Sequence, residues 1–207
     1  MLWIEFKYFF NENRDYMVIV TTPMCKKILE LAGIKDFKVN IKVDNEKADL
    51  AILLSENKTK LPSLAIKLNT FSQIKESIEK VSRFREDEEI ATDIKYVLDN
   101  LFNGSDIATK WTDKNKKNNL RNINSRFQVK VYSKFIKDIV EDMGFNIVEE
   151  DYEYIIFPDY LNLQKDDFTD CELIGLPTHN NVPRDPIKRA ELRYSLLEKI
   201  SSEDNTF

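Results

Sequence analysis

Hydroxyl, thiol and amino side chains cluster in two short segments, each directly after a predicted strand and before a predicted helix. A hydroxyl at a helix N-terminus caps a main-chain N–H group, and the unpaired N–H groups beside it suit a phosphate or carboxylate. The two segments therefore predict a small anionic ligand, although two capped helices without a ligand would have the same pattern. The predicted ligand-binding residues are Thr21, Thr22 and Cys25 in the first segment and Tyr132, Ser133 and Lys134 in the second.

Cys25 is also the candidate nucleophile. Thr22-Pro23 predicts a helix N-cap followed by proline at the first helical position, so Cys25 falls near the third residue of that helix. A helix N-terminus lowers the pKa of a thiol and favours the reactive thiolate. This position indicates an enzyme of transferase or reductase type as an alternative function. A small buried hydrophobic residue is the other interpretation of Cys25.

His179 is the single histidine of the chain and lies in a loop rich in Asn and Pro, near Arg184. We include it among the predicted ligand-binding residues. Together with Cys25 and Cys171 it could supply three metal ligands, but these residues lack the close spacing of a zinc site, and no metal site is predicted. Motifs typical of dinucleotide binding, phosphate-binding loops, serine hydrolases and zinc proteases are absent, so the sequence identifies no cofactor.

A segment rich in lysine and arginine lies between the two halves of the chain. Asp113 is its single acidic residue, and Trp111 and Phe127 are interleaved with the basic residues. Such a composition can bind RNA, but the formal net charge of -5 argues against nucleic acid. A solvated connector or a docking surface for an acidic protein partner explains it equally well. The candidate contact residues are Lys114, Lys116, Lys117, Arg121 and Arg126.

Size and composition predict a folded, cytoplasmic protein. With 207 residues, of which 42% are hydrophobic, the chain can bury a core. Two cysteines are too few for a disulfide framework, and charges interrupt the apolar N-terminal segment, unlike those of signal peptides. No apolar run approaches the roughly 20 residues of a membrane span, so no membrane segment is predicted.

Strand and helix patterns alternate along the chain. Continuous apolar runs at 17–21 and 48–54 predict strands that are covered on both faces. Apolar residues at helical spacing follow several of the predicted strands. The other predicted strands are at 2–10, 37–43, 64–68, 127–132, 152–158 and 173–177, and the predicted helices are at 23–32, 70–84, 86–102, 133–143 and after Asp185-Pro186.

The two halves of the chain have similar patterns. With Gly144 placed beneath Gly33, strand, hydroxyl cap, helix length and terminal glycine coincide without a gap, and Val131 falls opposite Val20. An internal duplication would explain this similarity. Two unrelated units would also have it, because strand, capping hydroxyl, amphipathic helix and terminal glycine are common to α/β units. Both predict an α/β fold with two Rossmann-like βαβ lobes, largely parallel sheets and a helical connector. The predicted domains are a first lobe at 1–85, a connector at 86–126 and a second lobe with a C-terminal helix at 127–207.

The predicted function follows from this fold. Ligands of parallel sheets bind outside the carboxyl ends of the strands, and the helix starts near Thr22 and Ser133 would then face a common space. The sequence therefore predicts a non-catalytic binding or accessory protein, which holds a small anionic ligand or cofactor in an inter-lobe cleft and docks a protein partner. An enzyme that uses Cys25 and an RNA-binding protein are the alternatives.

Overall fold

The computed structural model describes residues 17–85, 91–165, 168, 170–178 and 182–203. These residues form two compact units, and each unit contains one parallel sheet. The first unit comprises the described residues within 17–67 and 77–95, and the second those within 68–76 and 96–203. The predicted fold class, two α/β lobes with parallel sheets, is confirmed. The strand predicted at 2–10 lies outside the described residues.

The sheet of the first unit has four parallel strands in the order β2-β1-β3-β4. Its two central strands, Ile19–Thr21 and Leu50–Leu54, lie within the two continuous apolar runs, and all residues of these strands except Leu54 are buried. Val43, in the connection from β2 to β3, packs against Val20, Ala51 and Leu53 on one face of the sheet. The strands are β1 (Ile19–Thr21), β2 (Lys38–Val39), β3 (Leu50–Leu54) and β4 (Ser63–Ile66).

Three helices follow these strands along the chain: α1 (Lys26–Leu31), α2 (Phe71–Ser82) and α3 (Ala91–Asn100). The boundary between the units falls within α2 and again within α3. Before α2, the hydroxyl of Thr70 accepts a hydrogen bond from the Gln73 main-chain N–H at 3.2 Å, so Thr70 caps this helix.

The second sheet repeats the strand order of the first, with four parallel strands in the order β6-β5-β7-β8. Val129, Ile155 and Ile156 are fully buried in its two central strands. The strands are β5 (Gln128–Val131), β6 (Asn146–Ile147), β7 (Tyr154–Pro158) and β8 (Glu172–Leu176).

The helices of the second unit are α4 (Asp106–Thr112), α5 (Lys114–Asn124), α6 (Lys134–Met143) and α7 (Pro186–Glu203). α4 and α5 occupy the segment predicted as a partly helical connector, and Trp111 anchors α4 to α7. Its indole N–H donates to Glu198 Oε1 at 2.8 Å, and its ring lies 5.4 Å from that of Tyr194. None of the helices in the described part of the chain is both long and apolar enough to cross a membrane.

Glycine and hydroxyl signals in the sequence set several helix ends. Ser133 caps α6, and Gly144 ends it with a φ of 85°, a conformation that glycine adopts without steric cost. Gly33 follows α1 with a φ of 79°. Asp185 accepts hydrogen bonds from the N–H groups of the second and third residues of α7, at 2.9 and 3.2 Å. These predicted helix ends are confirmed.

The start of the first helix differs from the prediction. α1 begins at Lys26, because residues 23–25 form a turn in which the Thr22 carbonyl accepts from both Cys25 N and Lys26 N. The Thr22 hydroxyl donates to Cys25 Sγ at 3.7 Å and caps no main-chain group. The predicted strand at 37–43 is likewise reduced to β2, because Val43 begins a 3-10 turn.

The residue pairing in the two sheets aligns the two halves of the chain differently from the ungapped sequence alignment, by one residue. Thr21 pairs with Ile52 at the end of β1, and Val131 pairs with Ile156 at the end of β5. Val131 therefore corresponds to Thr21 in its sheet, whereas the sequence alignment places it opposite Val20. The internal duplication stays a prediction.

Candidate functional site

The carboxyl edge of the second sheet is the candidate site. β5, β7 and β8 run parallel, with Val131 paired to Ile156 and Pro158 paired to Leu176, so all three strands end at this edge. The residues that follow the strands include Ser133, Asp159 and Thr178. Ligands of open parallel sheets bind at such carboxyl edges, where loops and helix N-termini meet.

The first turn of α6 offers main-chain donors at this edge. The Ser133 hydroxyl accepts from Ile136 N at 3.4 Å and satisfies one of the turn's N–H groups. The N–H groups of Lys134 and Phe135 have no hydrogen-bond acceptor among the described residues. They lie at the positive end of the helix dipole, so an anion is the favoured partner. The side chains of Tyr132 and Lys134 are exposed here.

Arg193 of α7 places a buried guanidinium beside this turn. Only 6% of the residue is exposed. Its Nε and Nη2 each donate to the Pro177 carbonyl, which follows β8, at 3.2 Å. The guanidinium carbon lies 4.8 Å from the centre of the Phe135 ring, within the range of a cation–π interaction. Arg193 therefore connects the loop after β8 to the first turn of α6.

A second arginine increases the positive charge of this edge. Arg189, one turn before Arg193, is 2% exposed, and its Nη1 donates to the Pro183 carbonyl at 3.4 Å. Burial and, after it, the charge of Arg189 lower the pKa of Arg193 to about 10, while Asp159 acts in the opposite direction. The guanidinium remains protonated at neutral pH. Because the charge of Asp159 favours the protonated form of Arg193, a further anion beside this guanidinium would be stabilised in the same way.

Asp159 is held in place by the loop after β8. Its Oδ1 accepts from the Thr178 main-chain N–H at 3.1 Å and from the Thr178 hydroxyl. Thr178 is 6% exposed, so this contact is shielded from water. The loops after β7 and β8 are thereby joined next to the two arginines.

The predicted ligand-binding residues of the first unit are buried. Thr21 donates from its hydroxyl to the Ile52 carbonyl at 2.7 Å, and Thr22 donates to the thiol of Cys25. Thr21 and Cys25 have no exposed surface, and Thr22 is 7% exposed. The structure brings these three side chains together, but their role in ligand binding stays a prediction. His179 lies outside the described residues.

Two basic residues of the segment between the halves of the chain form contacts within the second unit. Lys117 Nζ forms an ion pair of 2.7 Å with Asp142, and both side chains are largely buried. Arg121 donates from Nη1 to the carbonyls of Glu141 and Asp142, at 2.7 and 2.5 Å, at the end of α6. These two basic residues therefore hold α5 against α6. The remaining candidate contact residues are exposed, namely Lys114, Lys116 and Arg126.

The sequence interpretation did not include Arg189 or Arg193, whereas it placed residues 158–160, and with them Asp159, at the carboxyl ends of the strands. A signal was present for the arginines, because Arg193 precedes Leu197 by four residues and Ile200 by seven, and both apolar residues are buried. Helical spacing therefore places Arg193 on the side of α7 that faces the interior. Asp159 directly follows a predicted strand, and strand direction places it at this edge.

Solved structures with low sequence identity share the fold of this chain. A Zn(II)-bound variant of AdcAII from Streptococcus pneumoniae matches with a TM-score of 0.56 and 11% identity, over 91% of this chain and 98% of that chain. The laminin-binding protein Lbp of Streptococcus pyogenes matches with 0.53 and 10%, over 90% and 99%. The periplasmic metal binding protein of Candidatus Liberibacter asiaticus matches with 0.53 and 8%, over 89% and 99%. At these identities the likeness establishes the fold alone. No protein-family model matches the chain, and no curated protein matches its sequence.

The described residues do not fit a metal centre. Zinc sites in proteins need three or four nitrogen, sulfur or carboxylate ligands around one point. In the described part of the chain, no three His, Cys, Asp or Glu side chains come together in this way. The side chains that do converge at the carboxyl edge of the second sheet include two arginines, which repel a cation.

Proposed function

We propose that this protein is a non-catalytic binding protein that holds a small anionic ligand. The shared fold supports the binding role, since the proteins with this fold include ones named for binding metal or laminin. The single observation that carries the ligand class is the buried pair Arg189 and Arg193 at the carboxyl edge of the second sheet. Buried cations are costly unless an opposite charge compensates them, and Asp159 shows the effect of such a charge, since it favours the protonated form of Arg193.

A metal ion is the competing ligand, because two of these fold neighbours are a zinc-bound protein and a metal-binding protein. The whole chain contains one histidine, the residue that most often binds zinc. The described residues contribute cations where a metal would need anionic or neutral ligands. These features favour an anion over a metal ion.

Docking of a protein partner is the second half of the proposal. Lys114, Lys116 and Arg126 are its candidate contacts, since all three are exposed. Replacing these three residues by Glu should abolish capture of an acidic partner and leave ligand binding intact. RNA is the alternative partner, and its binding would weaken steeply with added salt. Lys117 is unsuitable for this test, because its ion pair with Asp142 supports the fold. The predicted cytoplasmic location stays a prediction.

The ligand half can be tested on the full chain in two ways. Native mass spectrometry of the purified protein should reveal a bound small molecule, and thermal unfolding should be measured with carboxylates, inorganic phosphate, zinc and manganese in a Bis-Tris buffer of low ionic strength. A ligand at a hundred times its Kd stabilises a protein by about 2.7 kcal/mol. For a protein of this size that corresponds to a rise in Tm of roughly 5 to 11 °C.

We expect this rise with at least one anion and with neither metal. A rise with zinc or manganese alone would refute the anionic ligand and favour a metal carrier. The absence of any bound molecule and of any shift would refute the ligand half altogether.

A further inference from the structure

We propose that a cavity in the second unit is a further binding site, which takes a small aromatic zwitterion with the chemistry of a free aromatic amino acid. The cavity has a volume of about 320 Å³ and lies between the start of α2, the end of α3, α4 and the start of α5. All the residues that line it belong to the second unit, and none of them is at the carboxyl edge of the sheet. Its volume is within the range of small-molecule pockets.

Aromatic rings form one wall of this cavity. The ring of Phe71 lies 5.3 Å from that of Phe102 in an edge-to-face arrangement. The fully buried Tyr194 ring contacts the rings of Phe71 and Trp111, at 4.7 and 5.4 Å. Leu98 and Phe102 line the cavity and are each 7% exposed, so apolar surface is available to a ligand. Because these contacts hold the rings in place, the wall is formed before a ligand binds, and a ligand ring can pack against it.

Several polar side chains of the cavity already have partners within the unit. Lys117 Nζ forms its ion pair with Asp142 at 2.7 Å. The hydroxyls of Thr109 and Thr112 donate to main-chain carbonyls at 3.2 and 2.7 Å. These contacts stabilise the walls, so the charged groups available to a ligand are on other residues.

Lys75 of α2 and Asp99 of α3 supply those charges. Both line the cavity, where Lys75 is half-buried and Asp99 is exposed. Neither the ammonium group nor the carboxylate has a hydrogen bond or an ion pair with any described residue, including each other. A ligand with a single charge would match one of them and meet a like charge at the other. A zwitterion matches both, with its carboxylate toward Lys75 and its ammonium group toward Asp99.

Calorimetry on the full chain with three related molecules would test this inference. L-phenylalanine has both charges and an aromatic ring, whereas phenylacetate lacks the ammonium group and phenethylamine lacks the carboxylate. We expect L-phenylalanine to bind, and each analogue to bind about fivefold or more weakly, since each leaves one charge of the cavity unmatched.

Two substitutions identify the charges responsible. Lys75→Gln should weaken L-phenylalanine binding about tenfold and leave phenethylamine binding unchanged, because phenethylamine has no carboxylate. Asp99→Asn should weaken L-phenylalanine binding about fivefold and leave phenylacetate binding unchanged. The matched controls are Lys188→Gln and Asp106→Asn, at exposed positions of the second unit that do not line the cavity, and both should bind L-phenylalanine as the natural protein does.

A measurement on the unsubstituted protein covers the case in which a variant does not fold. The ring protons of bound L-phenylalanine should give intermolecular NMR contacts to the rings of Phe102 and Trp111. Contacts confined to residues outside the cavity would refute the inference.

The remaining outcomes separate this site from the proposed anion site. The absence of L-phenylalanine binding, or its unchanged binding in Lys75→Gln, would overturn the inference and leave the anion site untouched. Phenylacetate that binds as tightly as L-phenylalanine, with NMR contacts at the first turn of α6, would overturn the zwitterion site and support the anion site instead.

Discussion

The two glycines at 104 and 144 provide a test of how tightly α5 and α6 pack. Both have left-handed backbones, with φ of 90° and 85°, and both belong to the second unit. A Cβ atom on Gly104 would meet nothing within 4 Å, whereas a Cβ on Gly144 would lie 2.7 Å from the Cβ and 2.9 Å from the Cα of Arg121. The Ala variants therefore share the backbone strain and differ in the steric clash.

The expected effects follow from these distances. Left-handed backbone costs a residue with a Cβ about 1 to 2 kcal/mol, and the lower entropy of the unfolded Ala chain offsets part of this cost. Gly104→Ala should therefore destabilise the protein by about 1 kcal/mol. Gly144→Ala adds overpacking against the Cα and Cβ atoms of Arg121, which costs about 1 to 3 kcal/mol more. The difference corresponds to roughly 2 to 12 °C in Tm.

Urea unfolding at neutral pH measures this difference. Trp111 is buried in the second unit and reports on it by fluorescence, and Trp3→Phe provides a background in which it is the only tryptophan. Circular dichroism of the same samples reports on the helices of the whole chain. Equal destabilisation by Gly104→Ala and Gly144→Ala would refute the close contact between α5 and the end of α6.

Two further predictions concern titratable groups. Iodoacetamide should modify the partly exposed Cys171 before the fully buried Cys25. This order is expected even though burial and the charge of Asp170 raise the pKa of Cys171. Rapid modification of Cys25 would contradict this prediction and support the enzyme hypothesis. Burial and then the charge of Asp142 raise the pKa of Tyr194 well above 10, so the folded protein keeps a proton that the unfolded chain loses near pH 10. The stability that this proton contributes is complete below about pH 10 and is lost as the pH rises further. Urea midpoints measured between about pH 9 and 11 should therefore fall more steeply for the natural protein than for Tyr194→Phe. Parallel pH profiles would contradict this assignment.

Local signals predicted the fold because each of them acts within a few residues. Continuous apolar runs marked the central strands, and the Ser133 and Gly144 signals marked both ends of α6. The start of α1 was missed because the Thr22 hydroxyl has two acceptable partners, a main-chain N–H group or the thiol of Cys25, and the sequence does not choose between them. The choice depends on burial of the thiol, which is a property of the folded unit.

The candidate site could be predicted only in part, for a related reason. Ser133 and Lys134 follow a predicted strand, so strand direction alone places them at the carboxyl edge. The surroundings of Arg193 depend on partners distant in sequence: the Pro177 carbonyl is 16 residues away, and Phe135 lies on another helix. A helical arginine near apolar positions can extend its long stem to water or bury its head group, and only the folded structure distinguishes these.

The burial of Arg193 separates a structural role from a functional one. If the guanidinium served only to hold the Pro177 loop, one pair of donors would be sufficient, and an apolar side chain of similar volume could replace it at little cost or with a gain in stability. Instead, a second donor pair has no acceptor among the described residues, within a side chain that is 94% shielded and lies beside the like charge of Arg189. An anion at this edge would supply acceptors for these donors, and this is the physical ground for the proposed class of ligand.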